Sequence, residues 1–210
     1  MKNIAILISL LFLGSTSYAQ PNCISLDSVL KIVTGKHGFS PSLSAGDMFG
    51  GSVHELSDLD GDGIDDLIVG AFRENLGGTD RGAVHILFLN TNATVKSTAK
   101  IGSGTGGFTG QIDDGDHFGI SVADIGDLDQ DGVTDIAVGA LRDDDGGADK
   151  GAVWILFMNT NGTVKSHQKI SETAGALNRP LEADGRFGQS VCRIDDLDGD
   201  GIHDIGIGNF

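Results

Sequence analysis

Three nine-residue stretches concentrate oxygen donors at one spacing: "DLDGDGIDD" at 58–66, "DLDQDGVTD" at 127–135 and "DLDGDGIHD" at 196–204. Their shared pattern is D-x-D-x-D-G-x-x-D. Ca²⁺ is a hard ion that takes about 6–8 oxygen ligands, so a short loop can hold it only by turning sharply enough to aim several oxygens inward. In the first loop Asp58, Asp60 and Asp62 supply carboxylates, Gly63 permits the turn, the Ile64 carbonyl points in and Asp66 closes the set. The second loop offers Asp127, Asp129, Asp131, the Val133 carbonyl and Asp135, and the third Asp196, Asp198, Asp200, the Ile202 carbonyl and Asp204. The expected cofactor is Ca²⁺, one ion per loop and three in total.

An EF-hand loop begins the same way but needs a glutamate at its twelfth position and flanking helices. Here that position is Val69, Val138 or Ile207, each inside an apolar β-type run. A metal-free Asx-rich turn explains one such loop, since Asp and Gly favour turns by themselves, but poorly explains three with every aspartate in place. Empty, the clustered carboxylates repel, so each loop is expected to be poorly ordered without its ion. Three ions would bring the formal charge from −16 to −10. Extracellular sites of this kind bind with Kd on the order of 10⁻⁴ to 10⁻³ M. No acid, base or nucleophile constellation accompanies the loops, so the calcium reads as structural and the chain is not read as an enzyme.

The elements that must position these loops follow from an internal repeat. Phe49, Phe118 and Phe187 lie 69 residues apart both times, and "GAVHILFLNTNATVKSTAKI" from Gly82 matches "GAVWILFMNTNGTVKSHQKI" from Gly151 at fifteen of twenty positions. Within one period, apolar β-type runs alternate with turn signals. Strand A is read at 49–56, strand B at 66–72, strand C at 82–89 and strand D at 94–101. Strand B, "DLIVGAF", is almost wholly apolar, as a strand covered on both faces should be. Asn161-Gly162 predicts a two-residue hairpin turn in which both residues adopt positive φ.

Four strands per repeat without helices predict an all-β fold, a β-propeller of four-stranded antiparallel blades. A chain of β-sandwich modules is the runner-up, but such a module usually needs ~100 residues. The expected layout places blades at about 48–101 and 117–170 and a partial one at 186–210, within a propeller region spanning 20–210. The segment 27–35 aligns with strand D and reads as an orphan outer strand. That gives about two full blades plus partial ones, short of the ~4 that a closed ring needs. The expectation is a fragment of a longer chain, with assembly of several copies as the alternative.

Lys2, the apolar run Ile4–Leu13 and the Ser17-Tyr18-Ala19 motif read as a secretory signal peptide over 1–19. The run is too short to prefer spanning a bilayer, and no other stretch approaches the ~20 apolar residues required. With 30 acidic against 14 basic residues, the chain should repel nucleic acid and anionic membranes. Cys23 and Cys192 could form a disulfide in an oxidising compartment; the alternative makes Cys192 a small buried residue, like Ala123 at the equivalent position.

Phe-Gly, then the acidic loop, then "VGA" is a combination that resembles the FG-GAP repeats of integrin α-subunit propellers and of many exported bacterial repeat proteins. "FGGSV" with "IVGA", "FGISV" with "AVGA" and "FGQSV" with "GIGN" carry it, the third departing at Asn209. The resemblance implies a seven-bladed propeller, calcium in the A–B loops and roles in adhesion or ligand binding. The resulting reading is an exported binding module for an extracellular protein or glycan. The alternatives are the propeller portion of a secreted polysaccharide lyase or phospholipase, and a surface spacer. Strand order puts A–B and C–D turns at one rim and B–C and D–A connections at the other, leaving the B–C loops "RENLGGTDR" (73–81) and "RDDDGGADK" (142–150), with long D–A loops such as "GSGTGGFTGQIDDGD" (102–116), as candidate ligand contacts, or as ion pairs steadying hairpins.

Overall fold

Short apolar runs punctuated by Gly, Asp and Asn become strands because only their alternation, or their full burial, matches a pleated sheet. The structure is a computed structural model that describes residues 30–177 and 179–209. Its regular elements are β1 (Phe49–Leu56), β2 (Asp66–Ala71), β3 (Ala83–Leu89), β4 (Val95–Gly102), β5 (Phe118–Gly126), β6 (Asp135–Ala140), β7 (Ala152–Met158), β8 (Val164–Ile170), β9 (Ser190–Ile194) and β10 (Asp204–Gly208). No described residue is helical. The sheets run β1-β2-β3-β4, β5-β6-β7-β8 and β9-β10, with every pairing antiparallel. These are two complete propeller blades and the first half of a third.

Each four-stranded sheet uses its two faces for two different cores. In β2, Leu67 and Val69 join Ile32, Phe39, Phe49 and Leu87 beneath the segment that precedes the first blade. Ile68 points the other way, into a cluster with Ile86, Phe108, Trp154 and Leu156 between blades one and two. The third cluster, with Ala137, Ile155 and Phe187, joins blade two to Ile205 and Ile207 of blade three. Every residue of β2 and β6 is buried, whereas β10, which pairs with β9 alone, is intermediate throughout. Burying each large aliphatic or aromatic side chain is worth roughly 1.5–3 kcal/mol, so the blade-to-blade clusters hold the stack together.

Close approach of the blades depends on Gly70 and Gly139. A Cβ on Gly70 would overlap the Gly119 carbonyl oxygen of the next blade, and one on Gly139 would overlap that of Gly188. Those carbonyls accept hydrogen bonds from the Ser52 and Ser121 hydroxyls, at 2.9 and 2.8 Å. The "VGA" and "FG" motifs are therefore two sides of one contact.

Strand expectations match to within a residue at each end, and three details differ. The connection after β7 is a three-residue loop: Asn159 N–H donates to the Thr163 carbonyl at 2.8 Å, Gly162 alone takes positive φ (78°), and the register slips at Phe157/Met158. One left-handed residue suffices because the bulge absorbs the twist that a two-residue turn would have supplied. The Asn161 side chain accepts from Thr163, which accounts for that asparagine within the turn. The expected outer strand at 27–35 starts outside the described residues, and its described part has only Lys31 in an isolated bridge. Such a strand pairs with a strand C, and β3 and β7 are already paired on both sides. Cys192 is exposed and free rather than buried, because no described strand covers it as β9 covers Ala123; Cys23 and residues 1–19 lie outside the described residues.

Candidate metal centre

The acidic loops join β1 to β2, β5 to β6 and β9 to β10, and each is organised by its first aspartate. Asp58 accepts backbone N–H groups from Gly61 (2.8 Å) and Asp62 (3.0 Å) on Oδ1, and from Gly63 (2.7 Å) on Oδ2. Asp127 repeats this with Asp131 and Gly132, and Asp196 with Gly199, Asp200 and Gly201. The turn requires left-handed backbone at Gly63, Gly132 and Gly201 (φ 88–89°). Gln130 accepts φ 60° where the other loops have Gly61 and Gly199, a local cost of about 1–2 kcal/mol.

Three carboxylates converge in each loop. One oxygen apiece from Asp58, Asp60 and Asp62, from Asp127, Asp129 and Asp135, and from Asp196, Asp198 and Asp204 lies within 4.8 Å of the others in its group. The fourth member, Asp66, Asp131 or Asp200, falls outside these closest groupings. Asp62, which belongs to the first grouping, and Asp131 and Asp200, which lie outside theirs, each accept from a backbone N–H two residues on, of Ile64, Val133 and Ile202, at 3.0, 2.9 and 2.8 Å.

Asp66 and Asp135 anchor the loops to the sheet. Asp66 accepts from Leu59 N–H (3.2 Å) and Leu89 N–H (3.0 Å), and Asp135 from Leu128 (2.9 Å) and Met158 (3.0 Å). Burial pushes the Asp66 carboxyl up to about 6 despite these donors, and raises Asp135 as well. Asp204 accepts from Leu197 N–H at 2.7 Å.

Two features show that the donor set fits a cation. Asp60 Oδ1 is buried without a hydrogen-bond partner, although buried polar atoms are nearly always satisfied. And a cationic group is seated in each of the first two loops: Lys96 Nζ lies 2.5 Å from Asp60 Oδ2 and also donates to Asp62 Oδ2, while Lys165 Nζ lies 2.6 Å from Asp129 Oδ2 and donates to Asp131 Oδ2. These lysines hold Asp62 and Asp131 below the usual carboxylate range. They also offset the repulsion expected of an empty loop. All donors are oxygens, which suits a hard divalent ion such as Ca²⁺. The lysines were missed in sequence; the signal was "TVKS", which places Lys96 and Lys165 one period apart beside the C–D turn.

At the opposite rim several charged residues of 73–81 and 142–150 are paired with neighbouring loops and strands. Arg81 pairs with Asp114 (2.7 Å) and Lys150 with Glu172 (3.2 Å), tying each B–C loop to a D–A loop. Glu74 turns inward to His85 (2.7 Å) and Lys100, and Asp143 to Lys169 (2.7 Å). Arg73 lies over the Phe72 ring, 6.0 Å from its centroid.

A cavity of about 250 Å³, lined by His54, Glu55, Ser57, Asp65, Asp124 and Arg193, opens beside β1, β5 and β9. Glu55, Asp124 and Arg193 occupy the same repeat position on β1, β5 and β9. Asp124 is buried and accepts from Ser57 N–H (2.9 Å), Ser57 Oγ (2.7 Å), Gly126 N–H (2.8 Å) and Thr134 Oγ1 (2.9 Å), with Arg193 at 3.4 Å. Burial alone would push this carboxyl up, but the donors outweigh it and hold it low. It clamps three blades and leaves no free oxygen for chemistry.

Comparison with known proteins agrees with this architecture. The FG-GAP repeat family matches residues 49–87 and 118–156, the β1–β3 and β5–β7 portions of the blades. The third segment lies outside that match, although its loop makes the same bonds. The chain is similar to Integrin alpha-PS5 of Drosophila melanogaster, 34% identical over 188 residues that cover 87% of this chain and 17% of the relative. Integrin alpha-5 of Xenopus laevis is 36% identical over 168 residues, 77% of this chain and 15% of the relative. Integrin alpha ina-1 of Caenorhabditis elegans is 30% identical over 210 residues, 93% of this chain and 18% of the relative. The chain thus spans less than a fifth of the length of these relatives.

Proposed function

Because this chain is an FG-GAP repeat protein, we propose that it is a calcium-stabilised β-propeller region acting as an exported binding or adhesion module for an extracellular protein or glycan. The observation that supports this most is the threefold recurrence of one loop on one rim: three sets of converging aspartates, each organised by the same backbone hydrogen bonds. In this reading Asp58, Asp60, Asp62, the Ile64 carbonyl and Asp66 hold the first ion. Asp127, Asp129, Asp131, the Val133 carbonyl and Asp135 hold the second. Asp196, Asp198, Asp200, the Ile202 carbonyl and Asp204 hold the third. Calcium supplies charge neutralisation and cross-links each A–B turn. No helix among the described residues is long and apolar enough to cross a membrane.

The ions serve the scaffold in this reading, and the ligand is met by the opposite rim, at 73–81 and 142–150. A ligand that binds only the folded state stabilises it by RT ln(1 + [L]/Kd), about 2.7 kcal/mol at a hundredfold excess over Kd for a single site. The expected result is therefore a melting temperature that rises with millimolar Ca²⁺ and falls in EDTA; no difference between the two would refute the structural role. For the ligand, the full chain in calcium is applied to an array of extracellular-matrix proteins and glycans. Retention that is lost on changing Arg73 and Arg142 to glutamate supports the assignment, and absence of any retention counts against it.

A further inference from the structure

Lys96 and Lys165 belong to β4 and β8, each one residue beyond a buried valine, Val95 or Val164, that pins the start of its strand. Strand order carries the C–D turn to the rim of the A–B loops, so each ammonium enters the loop of its own blade. There it takes the Oδ2 atoms of Asp60 and Asp62, or of Asp129 and Asp131. The two arrangements match atom for atom across a 69-residue period. In the third loop no described lysine sits between Asp198 and Asp200.

We infer that Lys96 and Lys165 are tethered counter-cations that compete with Ca²⁺ for the first and second loops and so set their affinity. This rests on the calcium reading above. One carboxylate oxygen cannot serve a metal ion and an ammonium at hydrogen-bond distance in the same direction, and a divalent ion a few ångströms from an ammonium is repelled by it. Binding in these two loops therefore requires the lysine to leave. Its long, flexible stem allows that, since both side chains are already about one third exposed (35% and 34%). Without the ion, the same lysine neutralises part of the acidic cluster and keeps the loop folded. The first two loops are built to exchange one cation for another, and each lysine weakens the site it occupies.

The test is a Ca²⁺ titration of the full chain by ¹H–¹⁵N NMR, following the amides of Gly63, Gly132 and Gly201, each bonded to the first aspartate of its own loop. Removing a unit positive charge at this range should tighten binding about tenfold. K96Q is expected to shift the Gly63 midpoint to about tenfold lower Ca²⁺ and leave Gly132 and Gly201 unchanged. K165Q should do the converse, and K96R, which keeps the charge, should stay near the wild-type midpoint. In EDTA both glutamine variants should melt below wild type. Loops that titrate with Ca²⁺ but show unchanged or weakened binding in K96Q and K165Q would overturn the lysine inference and leave the calcium reading standing. If none of the three glycine amides responds to Ca²⁺ in any variant, both fail together. Should K96Q not fold, K165Q tests the same exchange independently at the second loop.

Discussion

Replacing Asp124 with asparagine removes one charge and one acceptor from the contact that joins the first three blades. Asp124 Oδ2 receives both the backbone N–H and the hydroxyl of Ser57, 67 residues away in the first blade, while Oδ1 receives Gly126 N–H and the Thr134 hydroxyl. An asparagine has one acceptor oxygen for these two sets, so its amide N–H₂ must face either Ser57 N–H or Gly126 N–H. Hydroxyls can rotate to accept; a backbone N–H cannot. Stranding a buried donor costs about 1–3 kcal/mol, and hydrogen bonds to a charged acceptor are worth about 1.5–3 kcal/mol each. D124N is therefore expected to lose about 2–4 kcal/mol in urea denaturation at pH 7 with calcium held constant. Because the Asp124 carboxyl is held low in the folded state, its contribution is present above its unfolded pKa of about 3.9 and fades as pH falls through its folded value. The gap between wild type and D124N should then narrow below about pH 4. In a double-mutant cycle with S57A the losses should be less than additive, since Ser57 supplies the hydroxyl on Oδ2. A D124N protein within 0.5 kcal/mol of wild type at pH 7, or losses that simply add, would refute the clamp.

G70A should be destabilised by about 1–3 kcal/mol or more, because its new Cβ overlaps the Gly119 carbonyl oxygen of the next blade; denaturation at wild-type stability would mean that the blades are not so closely docked. Asp116 is buried beside Asp143 and Asp113, and desolvation pushes its carboxyl up to about 7. A raised folded pKa means that the folded state binds the extra proton between about pH 4 and 7, so the associated stability is full below about pH 4 and lost as pH rises through 7. Asparagine keeps an acceptor for Asp113 N–H, which now reaches Asp116 Oδ2 at 2.8 Å. D116N should accordingly exceed wild type by on the order of 3 kcal/mol at pH 8 and converge with it near pH 4. Parallel pH profiles of the two proteins would contradict that assignment.

Much of this was legible in the sequence because the repeat made each local pattern testable against its copies. Strands β1 to β4 matched expectation because apolar runs and turn residues act over a few positions. The loop aspartates were legible for the same reason: a D-x-D-x-D-G turn is organised by bonds from Asp58 to residues three to five positions on. The turn after β7 was misread because "NG" fits two hairpin types, and the bulge at Phe157/Met158 chose between them. Cys192 was equated with Ala123, yet burial depends on what covers a strand and not on its repeat position.

The sequence by itself determined the strand pattern, the repeat and the identity of the clustered oxygens, since these follow from side-chain chemistry and short-range backbone geometry. Only the tertiary structure decided which distant groups meet them. Lys96 reaches Asp62 across 34 residues, Ser57 reaches Asp124 across 67, and Asp60 Oδ1 is buried without a partner. Such contacts depend on sheet order and on how closely glycine lets two blades approach, and neither quantity is written in any single stretch of chain.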